Sequence, residues 1–129
     1  MSDLTPTVAQ AIEEIRCTFE GCDVEVEPDG SGGALVVVRG VPLGCPYAQG
    51  EAWFGFHITF QYPYADVYPH FTNPELARSD GAGLGSGFGT ASFQGQQAIQ
   101  ISRRSNRLNP ERDTAALKLL KVVTWMKSQ

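Results

Sequence analysis

Three cysteines and two histidines are the residues with the clearest capacity for nucleophilic or metal chemistry. No two of Cys17, Cys22 and Cys45 are spaced as a CxxC pair, and a zinc site would also need His57 or His70. An odd number of cysteines without a secretion pattern indicates reduced thiols. We therefore predict no metal site and no cofactor.

The segment 102–107, Ser-Arg-Arg-Ser-Asn-Arg, contains the only cluster of basic residues in an acidic chain. Arg103, Arg104 and Arg107 lie within five residues, whereas the net charge of the chain is −4. Because arginine binds planar anionic groups through paired hydrogen bonds, the cluster indicates a docking patch for an acidic partner. The alternative is a solvated surface. The negative net charge offers no electrostatic basis for a nucleic-acid partner.

Length and composition indicate one folded domain. The chain has 129 residues, of which 42% are hydrophobic and 19% charged, enough apolar material for a core. No apolar run approaches the length of a membrane-spanning helix, and the first ten residues lack the pattern of a signal peptide. We therefore predict a single domain over residues 1–129, in the cytoplasm and without a membrane partner.

An amphipathic helix is predicted near the N-terminus. Thr5 and Pro6 form a helix start, with a capping hydroxyl followed by proline at the first helical position. Apolar residues then recur every three or four positions, at Val8, Ile12, Ile15 and Phe19. Gly21 ends the helix. This stripe is best explained by packing on a sheet, the alternative being a docking surface for a partner.

Four strands are predicted between the first helix and residue 73. They centre on residues 24–26, 34–39, 53–60 and 68–73. The third, Trp53 to Phe60, alternates aromatic and smaller residues with the period of two that is typical of a strand. Tyr62-Pro63 and Tyr68-Pro69 interrupt the pattern, because proline lacks the N–H that a strand needs.

The C-terminal half is predicted to contain a loop, a short extended segment and a helix. The segment from Leu76 to Gln94 is rich in glycine and serine, which predicts a mobile loop held at Phe88 and Phe93. Its glycine spacing matches no nucleotide-binding motif. Residues 98–102 follow as an extended segment, and a largely buried helix runs from Asn109-Pro110, or from Asp113, to Met126.

The aromatic strand and the crossover after it resemble the centre of the ubiquitin-conjugating (E2) fold. The matching residues are Phe56, Ile58, Phe60, Tyr62, Pro63 and Pro69. The resemblance covers residues 5–73 and implies an α+β, UBC-like fold: an N-terminal helix, a four-stranded antiparallel meander, a long Gly-rich loop and a C-terminal helix. The alternatives are a β-meander with an aromatic core face, or an unrelated α+β domain.

The catalytic signatures of the family are missing from this chain. E2 enzymes carry a catalytic cysteine after the fourth strand and a His-Pro-Asn motif shortly before it. No cysteine follows Cys45, and His70, Asn73 and Pro74 occur in a different order from the motif. The resemblance is therefore to divergent bacterial relatives of the E2 family that lack parts of the usual motif.

The E2 frame nevertheless points to a replacement for the missing nucleophile. With Pro110 aligned to the proline before the last long helix, Ser102 falls at the cysteine position and Ser105 is the second choice. The resemblance implies that Ser102 accepts the C-terminal glycine of a ubiquitin-like protein from an E1-like adenylating enzyme, as an oxyester. Arg103 and Arg104 would stabilise the oxyanion.

A serine hydroxyl needs a base, and the sequence offers more than one. His57, His70 or a group on the partner could serve, and Asn73 or Asn106 could add an oxyanion donor. For His57 the preferred interpretation is a satisfied histidine on a sheet face. The alternative function is a catalytically inactive, E2-variant-like scaffold that binds a ubiquitin-like protein or an E1-like partner.

Overall fold

The computed structural model describes residues 4–102, 109 and 113–129. Within these ranges the fold is α+β, with two helices and one antiparallel sheet of six strands. The helices are α1 (Pro6–Thr18) and α2 (Ala115–Lys127). The strands are β1 (Asp23–Pro28), β2 (Ala34–Pro42), β3 (Glu51–Ile58), β4 (His70–Thr72), β5 (Phe88–Phe93) and β6 (Gln96–Ile101). Their spatial order is β1-β2-β3-β4-β6-β5.

Helix α1 forms as the sequence predicts. The Thr5 hydroxyl accepts a hydrogen bond from Val8 N at 3.1 Å, and Pro6 occupies the first turn. The predicted stripe is buried throughout, at Val8, Ile12, Ile15 and Phe19. Gly21 follows the helix with φ of 93°, a backbone angle that favours glycine.

Strands β1 to β4 pair as sequence neighbours, in the predicted meander. The aromatic strand β3 lies between β2 and β4, but it ends at Ile58 instead of Phe60. Tyr62 N donates to Thr59 O at 3.0 Å, so the chain already turns at Thr59 and leaves the Phe60 side chain 56% exposed. The prediction that Phe60 belongs to the strand is therefore wrong.

The predicted count of four strands is also wrong. Phe88–Phe93, assigned to the Gly-rich loop, forms β5 and pairs with β6 across the turn at Gln94 and Gly95. Within a glycine- and serine-rich segment, Gly89 and Ala91 weaken the strand pattern of Phe88, Thr90 and Phe93, and the pairing with β6 makes the segment a strand. The segment between β4 and β5 is therefore limited to residues 73–87.

The start of α2 differs from the prediction as well. The Thr114 hydroxyl accepts from Leu117 N at 3.1 Å and caps a helix that begins at Ala115. The Asp113 carboxylate instead accepts from Asn109 N at 2.7 Å. Pro110, the other predicted start, lies outside the described residues.

Both helices pack on one face of the sheet and contact each other. The main core contains the inward-facing residues of the strands, among them Val36, Phe54 and Phe56. A smaller cluster of Val37, Phe93 and Ala98 lies on the opposite face. We call the first the helix face and the second the open face. In the described part of the chain, no helix is both long and apolar enough to cross a membrane.

Candidate functional site

Some of the predicted catalytic residues lie in the part of the chain that the structure describes, and others lie outside it. Ser102, His70 and Asn73 lie in the described ranges. Arg103, Arg104, Ser105, Asn106 and Arg107 lie outside the described residues. Within the described ranges, the candidate site consists of Ser102 and the groups around it.

Ser102 directly follows β6 and is half-buried. Its backbone N–H donates to Gly87 O at 2.7 Å, which continues the β5–β6 ladder by one residue. Its hydroxyl accepts from Gln100 Nε2 at 3.1 Å, so both side chains lie on the same side of the strand. Because side chains alternate along a strand, Ser102 lies on the open face, opposite to Ile101 in the core.

His70 is fully buried on the helix face. It pairs with Ile101 across the β4–β6 ladder, and its ring packs against Phe56 with 5.1 Å between ring centres. Neither ring nitrogen has a hydrogen-bond partner in the described chain. Burial, reinforced by the Lys118 cation, lowers the pKa of His70 to about 3, so the ring is neutral at pH 7. The sheet separates His70 from the Ser102 hydroxyl, and the structure does not bring them together.

Asn73 follows the last residue of β4 and is hydrogen-bonded to the neighbouring strand β3. Its Oδ1 accepts from Trp53 N at 3.0 Å, and its Nδ2 donates to Glu75 Oε1 at 2.9 Å. Thr72 pairs with Ile99 and His70 with Ile101, so β4 and β6 run in opposite directions. Asn73 therefore lies beside the start of β6, whereas Ser102 follows its end. The two side chains belong to opposite ends of the β4–β6 pair, about 13 Å apart along the strands.

His57 is the histidine that shares a face with Ser102. Its Nε2 is 2.6 Å from Asp29 Oδ2, and the Asp29 carboxylate also accepts from the backbone N–H groups of Ser31 and Gly33. The hydrogen bond from His57, with help from these two N–H groups, lowers the pKa of Asp29. The preferred interpretation of His57, a satisfied histidine on a sheet face, matches this geometry.

The strand registers also align His57 with Ser102. Gly55 pairs with Phe71, and Phe71 with Gln100. Both registers end at His70; continued one residue past it, they would place His57 and Ser102 level on the open face, two strand spacings or about 10 Å apart. In the described chain the Ser102 hydroxyl forms no hydrogen bond with an imidazole or a carboxylate.

A polar cluster beneath the crossover was missed by the sequence analysis. Lys118 Nζ lies 3.2 Å from both Asp66 carboxylate oxygens, although the lysine side chain is only 8% exposed. Tyr62 Oη accepts from Ala115 N at 3.0 Å. The signal for Lys118 was present, since it lies on the apolar stripe of the second helix. No sequence pattern pointed to Asp66.

No candidate metal site is found among residues 4–102, 109 and 113–129, since no three His, Cys, Asp or Glu residues converge there. All three cysteines are free thiols. Comparison of the chain with models of known protein families, with curated proteins and with solved structures yields no match in any of the three. The function must therefore be inferred from the residues and geometry of the chain itself.

Proposed function

We propose that this chain is an E2-like component of a bacterial ubiquitin-like protein conjugation pathway. In this role it binds a ubiquitin-like protein or an E1-like adenylating enzyme without forming a covalent bond to it. The order of elements supports the proposal: α1 is followed by β1 to β4 paired as neighbours, the Tyr62-Pro63 crossover joins β3 to β4, and α2 comes last. This is the order that the sequence resemblance implies, except that β5 and β6 stand between β4 and α2, where the resemblance implies a loop.

One observation carries the non-covalent form of the proposal: Ser102 and His70 lie on opposite faces of the sheet. A serine hydroxyl becomes nucleophilic only when a base lies within hydrogen-bonding distance. His70 is buried on the far side with a pKa of about 3, so it cannot serve as that base. A binding role needs no such group.

The alignment of His57 with Ser102 favours a second candidate, an acyl carrier. In this reaction the Ser102 hydroxyl attacks the activated C-terminal carbonyl of the ubiquitin-like protein. The hydroxyl proton passes to the His57 imidazole, which Asp29 orients at 2.6 Å, and the activating group leaves. The product is an oxyester. This reaction requires a movement on partner binding that closes the separation of about 10 Å and brings the imidazole within hydrogen-bonding distance of the hydroxyl.

Mass spectrometry distinguishes the two candidates. The protein is incubated with E1-like and ubiquitin-like proteins of the same organism and ATP, as wild type, Ser102→Ala and His57→Gln. Ser92→Ala, a serine of β5, is the matched control. An adduct that resists thiol reductant, yields to hydroxide and is absent from Ser102→Ala establishes the carrier.

The other outcomes are equally informative. Stable association on a sizing column with no adduct supports the binding component. An adduct that persists in Ser102→Ala shows that another residue is the nucleophile, and Ser105 is tested first. If the protein forms neither an adduct nor a complex with either partner, the E2-like proposal is wrong.

A further inference from the structure

The described sheet has two edges, and one of them is protected against pairing with another chain. The edge strand β1, DVEVEP, carries three acidic residues and ends in a proline. Arg16 also reaches across it, with Nη1 3.3 Å from Val24 O. Charged side chains and proline on an edge strand oppose the addition of a further strand.

Among the described residues, the opposite edge, β5, has no comparable protection. Its sequence FGTASF contains neither a charged residue nor proline. Gly89, Thr90 and Ser92 are exposed, and no described residue pairs with the outer side of this strand. An uncharged strand with free backbone groups is a template for β-strand addition.

The ladder between β5 and β6 determines which backbone groups face outward. The bond from Ser102 N to Gly87 O, at 2.7 Å, makes this pair a hydrogen-bonded position of the ladder. In an antiparallel pair such positions alternate with non-hydrogen-bonded ones. The N–H and C=O groups of Phe88, Thr90 and Ser92 therefore point away from β6, towards the open edge.

We propose that β5 pairs with the β5 strand of a second copy of this chain, antiparallel about a two-fold axis at Thr90. In this register Thr90 lies opposite the partner's Thr90, and Phe88 lies opposite the partner's Ser92. The outward backbone groups of both strands then meet, and Gly89 lies opposite the partner's Ala91. No pair is charged, and a cross-strand pair of threonines is favourable. The two six-stranded sheets become one continuous sheet.

Symmetry and charge favour a second copy paired through the same strand. Pairing of β5 with β1 of another copy would leave free edges at both ends and would grow into a filament. Pairing of β5 with β5 closes after two copies, because the contact is isologous. The chain has a net charge of −4, but none of its charged residues lies on β5, so the ladder brings no like charges together.

Disulfide trapping tests the register. In a background where Cys17, Cys22 and Cys45 are changed to alanine, Thr90→Cys places two Cα atoms about 5.5 Å apart across the axis, within the span of a disulfide. In the control Ser92→Cys, the cysteines at position 92 of the two copies lie more than about 13 Å apart. We expect an oxidised dimer from Thr90→Cys and little from Ser92→Cys. Equal cross-linking, or none from Thr90→Cys, overturns the proposed register.

Sedimentation equilibrium tests the association itself. The mass of the wild type should rise with concentration towards twice the 14.0 kDa of the single chain. Thr90→Lys should remain a monomer, while Thr124→Lys, which adds the same charge at an exposed position of α2, should still associate. Circular dichroism verifies that Thr90→Lys is folded. A wild type that stays monomeric, or a dimer that survives Thr90→Lys, overturns the proposal.

Discussion

Gly55 shows how one residue determines the packing of the open face. A Cβ atom at this position would lie 2.6 Å from Phe93 Cε2, well inside van der Waals contact. The Phe93 ring stacks on Phe71, with 4.9 Å between ring centres, and lies 6.5 Å from the Trp53 ring. The missing side chain at Gly55 thus makes room for the ring that attaches the β5–β6 hairpin to the middle of the sheet.

Gly55→Ala should destabilise the protein. The added methyl group must displace the Phe93 ring, and overpacking of this kind costs about 1–3 kcal/mol. The expected result is a lower midpoint of urea unfolding with an unchanged slope. Gly89→Ala is the control, since its added Cβ meets open space. An equal midpoint for both variants would contradict the packing described here.

At the scale of elements, the crossover after β3 holds the second helix in place. Tyr62 Oη accepts from Ala115 N, which belongs to the first turn of α2 and lacks a partner within the helix. Asp66, on the same crossover, pairs with Lys118 one turn later. The crossover therefore caps and orients α2 at the end of the molecule where β6 leads into Ser102.

Tyr62→Phe tests this attachment. The substitution keeps the buried ring and removes only the acceptor, leaving the buried Ala115 N–H unsatisfied at a cost of about 1–2 kcal/mol. Urea unfolding measures the loss. Tyr64→Phe, in the same loop but 79% exposed, should change stability by less than about 0.5 kcal/mol. A similar effect of the two variants would show that the Tyr62 hydroxyl does not hold the helix.

At the scale of the whole molecule, the two faces of the sheet differ in what they bury. The helix face encloses the main core and, within it, the unpaired His70 ring. The open face carries the aromatic cluster around Phe93, the His57–Asp29 pair and the Ser102 hydroxyl. The groups proposed for chemistry and for pairing with a partner therefore lie on the open face and its edge, whereas His70 lies in the core.

The buried His70 should make stability fall as the pH is lowered. The pKa of His70 is about 3 in the folded chain, whereas an exposed histidine in the unfolded chain has its ordinary pKa of 6.5. Between pH 3 and pH 6.5 the unfolded state therefore binds more protons than the folded state. The free energy of unfolding is therefore unaffected by protonation of His70 above pH 6.5. As the pH falls from 6.5 towards 3, it decreases by up to about 1.4 kcal/mol per pH unit.

His70→Phe should flatten this dependence and raise stability at neutral pH, because it removes two unpaired buried nitrogens. Urea unfolding between about pH 7.5 and pH 4.5 measures the effect. His57→Gln, which removes the exposed histidine, should keep the steep fall. If His70→Phe retains the wild-type slope over this range, the ring is not neutral in the folded state.

Local patterns in the sequence determined much of the helix face. The cap and apolar stripe of α1 were visible because they depend on residues three or four positions apart. The alternation of β3 was visible because it depends on residues two positions apart. They predicted an α+β chain with a meander of neighbouring strands. The α2 stripe was also visible, but its start was predicted at Asn109-Pro110 or Asp113, whereas the hydroxyl that caps the helix is that of Thr114.

The tertiary structure alone decided the β5–β6 hairpin and the composition of the site. β5 mixes Gly89 and Ala91, which disfavour a strand, with Phe88, Thr90 and Phe93, which favour one, so its pairing with β6 decides that it is a strand. Successive side chains of a strand point to opposite faces of the sheet. Since Ile101 pairs with His70 on the helix face, the hydroxyl of the next residue, Ser102, lies on the opposite face. Continued one residue past His70, the same registers align His57 with Ser102, two residues whose separation in sequence no local pattern spans.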